Sequence, residues 1–131
     1  MRLAVVGSRN FTNAQVIYNF LDNFCCGKII QLVVSGGARG VDRIASSWAK
    51  SKNIDVLIIR PDFDKYPPKI APIIRNMEIV NKSDFVLSFW DGKSRGTKFV
   101  IDYCKQVNKP NKIVFLDLLN LNKNNSYGYS L

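Results

Sequence analysis

The 131-residue chain contains no histidine. Zinc sites built on imidazole, Ser–His nucleophilic chemistry and histidine acid–base work are excluded with it. Cysteine is scarce: only Cys25, Cys26 and Cys104 occur. Three cysteines do not make a disulfide scaffold, and the adjacent pair lacks the two-residue spacing of a zinc knuckle. Neither a metal site nor a cofactor is expected. Glutamate occurs once, at Glu78, so carboxylate chemistry falls to aspartate. No apolar run approaches the ~20 residues that cross a membrane. The opening run Arg2–Val6 reads as a strand, not a signal peptide, so the expectation is a cytoplasmic protein with no membrane partner. No run of five like charges makes a basic tail, and there is no repeat or linker.

Positive charge is abundant. Nineteen Lys and Arg against ten Asp and Glu give a formal net charge of +9. That balance favours anionic partners: nucleotides, nucleic acid or a membrane surface. The plainer reading for scattered lysines such as Lys50, Lys52, Lys105, Lys109 and Lys112 is a solvated surface.

Strand-like runs recur at Arg2–Val6, Ile29–Val34, Ile54–Arg60, Phe85–Phe89 and Lys112–Leu116. Helix-like segments lie between them. The first is capped by Thr12 or Asn13, runs to about Phe24 and stops before Gly27. The second spans Val41–Lys50, the third Pro72–Asn81, and the fourth follows Gly96-Thr97. Continuously apolar strands alternating with helices predict an α/β fold. The architecture is one three-layer domain: a five-stranded parallel sheet in the order 3-2-1-4-5, with helices on both faces. The domain is predicted over residues 1–117. A polar tail, disordered or a surface strap, is predicted over 118–131.

Ligands of such sheets bind at the carboxyl ends of the strands, near the point where strand order reverses. The most informative run, Ser35-Gly36-Gly37-Ala38-Arg39-Gly40, lies there, between a strand and a helix. Glycines let the backbone approach an anion, and the first-turn N–H groups of the helix point at it. Gly7-Ser8-Arg9 follows the first strand. Asp91-Gly92, Ser94 and Gly96-Thr97 follow the fourth, with Arg95 among them, and Arg75-Asn76 sits on the third helix. One edge thus collects glycines, arginines and hydroxyls, which suits a phosphate-bearing molecule. Each residue also has a plainer reading: tight turns for the glycines, caps for the serines, solvent for Arg39 and Arg95. Asp42 is either a dipole partner of its helix or an acceptor for ribose hydroxyls. Asp91 is a turn residue, an acid or a base. Asp42, Asp91 and Arg75 are the weak catalytic candidates. The standard P-loop and G-x-G-x-x-G patterns are absent.

The same motifs, in order over about residues 2–116, resemble the YspA-like family of the SLOG superfamily of Rossmann-like domains. They are Val5–Phe11, Val34–Asp42, Pro61-Asp62-Phe63, Lys65-Tyr66, Lys69, Ala71, Arg75-Asn76, Phe89–Gly92, Ser94 and Gly96-Thr97. The Ser35–Asp42 run and Arg75-Asn76 are also similar to the DNA-processing protein DprA. The resemblance implies binding of nucleotides or nucleotide-derived signals, ADP-ribose-like molecules included, at Gly7, Ser8, Arg9, Ser35, Gly36, Gly37, Arg75, Gly96 and Thr97. Its LOG branch implies cleavage of the base from a nucleoside monophosphate, and its DprA branch implies single-stranded DNA binding. Paired members of the superfamily imply a homodimer. The LOG motif places a catalytic glutamate where this chain has Val100, and Pro72 replaces an expected glycine. The balance of expectation is therefore a binding protein rather than an enzyme. Phosphoribohydrolase activity and nucleic-acid binding, with Phe11, Tyr66 and Trp90 as stacking residues, are the alternatives.

Overall fold

A computed structural model describes residues 1–123 of the chain. Five parallel strands, β1 (Arg2–Gly7), β2 (Leu32–Ser35), β3 (Asp55–Ile58), β4 (Phe85–Trp90) and β5 (Asn111–Phe115), form one sheet in the order β3-β2-β1-β4-β5. The helices are α1 (Ala14–Cys25), α2 (Val41–Ser51), α3 (Ala71–Asn81), α4 (Arg95–Gln106) and α5 (Leu116–Lys123). The architecture is the Rossmann-like α/β fold that the apolar pattern predicts.

Alternation along each strand sorts its side chains between two cores. Leu3 and Val5 of β1 join Val33, Leu87 and Phe89 under α1, α2 and α5, where Ile17, Leu21, Trp48 and Leu119 are buried. Ala4 and Val6 join Val34 and Val86 under α3 and α4, where Ile79, Val80, Val100 and Cys104 are buried. The chain changes face after β3, so strand order reverses between β1 and β4. In register, Val6 faces Ser88 and Gly7 faces Phe89 across that boundary.

Several element limits differ from expectation. β2 begins at Leu32 rather than Ile29, because its pairing with β1 starts at Arg2↔Leu32; Ile29 is left 82 % exposed. Asn13, not Thr12, caps α1, its Oδ1 accepting from Val16 N at 3.4 Å. α4 begins at Arg95, so Gly96 and Thr97 lie in its first turn instead of preceding it. The chain also continues past residue 117 as α5, with Leu116 and Leu119 in the core. The segment carries leucine at 116, 118, 119 and 121, so no single apolar stripe marks it as a helix from sequence. Residues 124–131, on which most of the predicted tail falls, lie outside the described residues. Among the described residues no helix is long and apolar enough to cross a membrane, and no cluster of His, Cys, Asp and Glu is arranged to hold a metal ion.

Candidate functional site

A cavity of about 200 Å³ opens at the carboxyl edge of the sheet where strand order reverses. Val6 and Gly7 close β1 at its base, and Arg9 and Ala38 come from the two following loops. Asp42 of α2 forms one side; Pro72, Arg75, Asn76 and Ile79 of α3 form another. Ser94, Gly96, Thr97 and Val100 contribute the start of α4. Residues far apart in sequence thus meet because parallel strands deliver every β–α connection to one edge.

Arg75 and Asp42 dominate its chemistry. Arg75 Nη1 donates to the Gly36 carbonyl oxygen at 3.0 Å and to that of Ile59 at 3.5 Å, which ties α3 to the ends of β2 and β3. Its Nε donates to Asn76 Oδ1 at 2.9 Å. Among the described residues the Nη2 hydrogens have no acceptor, so part of the guanidinium fork remains available. Burial lowers the Arg75 pKa, and Asp42 opposes that shift. Asp42 is 6 % exposed, and its Oδ2 accepts from Ala38 N at 3.4 Å. Burial pushes its carboxyl up to about 6, against the backbone N–H groups of Ala38, Gly7 and Gly36 and the charge of Arg75. Both groups converge on Gly36: a Cβ there would lie 2.9 Å from Arg75 Nη1 and 3.0 Å from Asp42 Oδ2.

Residues 1–66 match the family described as YAcAr, the YspA, cpYpsA-related SLOG family. This chain belongs to the YAcAr family. The matched YAcAr segment carries β1, β2, β3 and the loops of Arg9 and Ala38; Arg75 and α4 lie beyond it. A relative, the Gene 61 protein of Mycobacterium phage D29, is 33 % identical over 104 residues, covering 74 % of this chain and 82 % of that protein. The YAcAr fold is similar to that of DNA processing protein A (DprA) from Streptococcus pneumoniae, with a TM-score of 0.69 and 17 % identity over 86 % of this chain and 49 % of that one. It is also similar to DprA from Helicobacter pylori, whose structure concerns a single-stranded DNA binding mode. There the TM-score is 0.66 and the identity 22 %, over 86 % of this chain and 64 % of that one. The chain therefore spans less than two thirds of either DprA, and at these identities the likeness is one of fold.

The remaining candidates of the YAcAr edge close turns beside the cavity. Ser35 is fully buried, and its Oγ accepts from Gly37 N at 3.2 Å. Ser8 Oγ accepts from Asn10 N at 3.2 Å. Asp91 Oδ1 accepts from Lys93 N at 2.9 Å and Ser94 N at 2.7 Å, and these bonds hold its pKa below the usual carboxylate range. Ser94 Oγ in turn donates to Thr97 Oγ1 at 3.3 Å. Gly40 has φ of +78°, and a Cβ there would fall on the Ser8 and Arg9 backbone. Gly92 has φ of +80° with open space around it. Arg39 and Arg95 are exposed and do not line the cavity. Trp90, a stacking candidate, is tied down: its Nε1 donates to Ser94 O at 3.1 Å. Phe11 packs, partly buried, against the core.

Sequence reasoning missed three features. Val6 and Ile79 line the cavity as core residues whose outer ends reach it, which periodicity reads only as core. Ser88 is fully buried, and its Oγ has no hydrogen-bond partner among the described residues; it pairs in register with Val6, on the same face of the sheet. Arg60, just past β3, lies against the glycine turn: a Cβ on Gly37 would be 3.3 Å from Arg60 Nη1. An arginine at a strand end was the available signal.

Proposed function

We propose that the cavity binds the phosphate and ribose of a nucleotide or nucleotide-derived molecule. The observation that carries this reading is the convergence of Arg75 and Asp42 over Gly36, within a cavity whose opposite side is the first turn of α4. The free Nη2 edge of Arg75 suits phosphate oxygens, and the N–H groups of Gly96 and Thr97 suit the same anion. Asp42 accepts hydrogen bonds only, which suits ribose hydroxyls as donors. Among the described residues Asp42 is the one carboxylate on the cavity wall, and Val100 stands where the resembled phosphoribohydrolases place glutamate. The proposal is therefore binding without turnover. Calorimetric titration with adenosine and guanosine monophosphates tests it. Wild-type protein binds at least one of them, and Arg75→Gln weakens that binding by tenfold or more, the scale of one charge-assisted hydrogen bond. No binding by any nucleotide of a broad panel contradicts the reading.

A second reading, single-stranded DNA, is favoured by the net charge of +9 and by the DNA-binding structure of the Helicobacter pylori relative in fold. Tyr66 is its stacking residue, half-buried with Lys65 Nζ 5.4 Å from the ring centre. Oligonucleotide affinity that falls steeply with salt, with little response to mononucleotides, supports this reading over the first.

A further inference from the structure

A recess of about 310 Å³ lies on the side of the sheet that α1 and α2 cover, between the first halves of those helices. It falls within the roughly 300–1,000 Å³ typical of small-ligand pockets. Phe11 and Tyr18 line it on the α1 side and Ile44 on the α2 side. All three pack, partly buried, against the core, so the fold holds these walls in place. The first turn of α2 separates this recess from the cavity described above. Asp42 lines that cavity, and the next residue, Arg43, lines this one.

The charge here is unbalanced. No acidic residue lines the recess, and none of the ion pairs among the described residues includes Arg43. Asp22, one helical turn beyond Tyr18, is already engaged: its Oδ1 accepts from Trp48 Nε1 at 2.9 Å and lies 3.1 Å from Lys52 Nζ. The neighbouring recess, between the far ends of the same two helices, differs in this respect. Its Lys52 is held by Asp22, and its Lys28 donates to the Phe24 carbonyl at 2.6 Å and sits 4.7 Å from the Phe24 ring centre. Arg43 therefore stands as a cation without a counter-ion, beside two aromatic side chains. A guanidinium fork suits a carboxylate bidentately, and the aromatic faces suit a planar apolar body. The hydroxyls of Thr12 and Ser47 add donors at the same wall. A nucleic-acid strand fits less well, because its charges repeat at every nucleotide and the lining supplies one cation.

We propose that the recess between α1 and α2 is a second binding site, for a small aromatic carboxylate, with Arg43 holding the carboxylate and Phe11, Tyr18 and Ile44 the ring. This site is independent of the nucleotide reading, because its lining shares no residue with the cavity of Arg75 and Asp42.

Calorimetry with 1-naphthoate as the probe and its uncharged analogue 1-naphthamide tests the proposal. Wild-type protein binds the carboxylate at least tenfold more tightly than the amide, the scale of one charge-assisted hydrogen bond. Arg43→Gln brings that ratio to about one. Ser47→Phe fills the recess and abolishes binding of both. Arg43 and Ser47 are exposed, so neither change disturbs the core. Excess AMP or oligothymidylate leaves naphthoate binding unchanged. Absence of naphthoate binding, a ratio unmoved by Arg43→Gln, or binding unmoved by Ser47→Phe overturns the proposal. Displacement of the probe by AMP places it at the nucleotide edge, and displacement by oligothymidylate assigns the recess to a strand; either result overturns the proposal. AMP binding measured alone decides the nucleotide reading separately.

Discussion

Asp42 occupies the first turn of α2 and yet is almost wholly buried, so its two ordinary roles conflict. Its backbone donors favour the charged form, and desolvation favours the neutral one; desolvation prevails and the carboxyl titrates near 6. An unfolded aspartate titrates near 3.9. Between those values the folded state binds more protons, so this group makes stability fall as pH rises from about 4 to 6, and the loss persists above. It amounts to about 3 kcal/mol at most. With no histidine in the chain, this fall is readable as a melting temperature that drops between pH 5 and 7 and as a flatter profile in Asp42→Asn. Equal slopes in both proteins would place the titration elsewhere. The glycines allow a second comparison. Gly92→Ala introduces only a left-handed alanine and costs about 1 kcal/mol. Gly40→Ala adds a backbone collision to a positive φ and costs about 2–4 kcal/mol. Urea denaturation of the two variants checks that order.

At the level of elements, caps and apolar spacing made the four longer helices legible. Asn13 caps α1, Pro72 sits in the first turn of α3, and Gly27 follows α1 with φ of +76°. What escaped were elements whose identity depends on partners. β2 loses Ile29, Ile30 and Gln31 because β1 begins at Arg2, a fact of pairing and not of propensity. α5 exists because Leu116 and Leu119 find a core beside α1, whereas its own sequence is rich in Asn and Leu without a clear period. Leu119→Ala is expected to cost 2–5 kcal/mol, the usual range for a buried leucine. Asn13→Ala, which removes a cap alone, is expected to cost about 1 kcal/mol. Chemical denaturation checks both, and a Leu119 variant as stable as wild type would remove α5 from the fold.

Across the whole molecule, strand order was legible because continuous apolar strands alternate with helices and connection rules leave few topologies. The edge that collects the candidate residues followed from that order; the meeting of Arg75 and Asp42 at Gly36 did not. Depth was not legible. Nothing in one dimension separates Arg39, which points to solvent, from Arg60, which lies on the glycine turn. Nor does sequence distinguish Ser35 as a turn closer from Ser35 as a phosphate donor. The charge of +9 belongs to this scale too. It strengthens attraction for any polyanion at low salt, so oligonucleotide affinity is expected to decline with salt more steeply than mononucleotide affinity.

Amide chemical-shift mapping with AMP addresses the proposed nucleotide site residue by residue. The shifts are expected to concentrate at Gly7, Ala38, Gly96 and Thr97, with Asn76 beside Arg75, and to vanish in Arg75→Gln. Shifts spread over the lysine-bearing surface, or absent at saturating AMP, would contradict a nucleotide site at this edge.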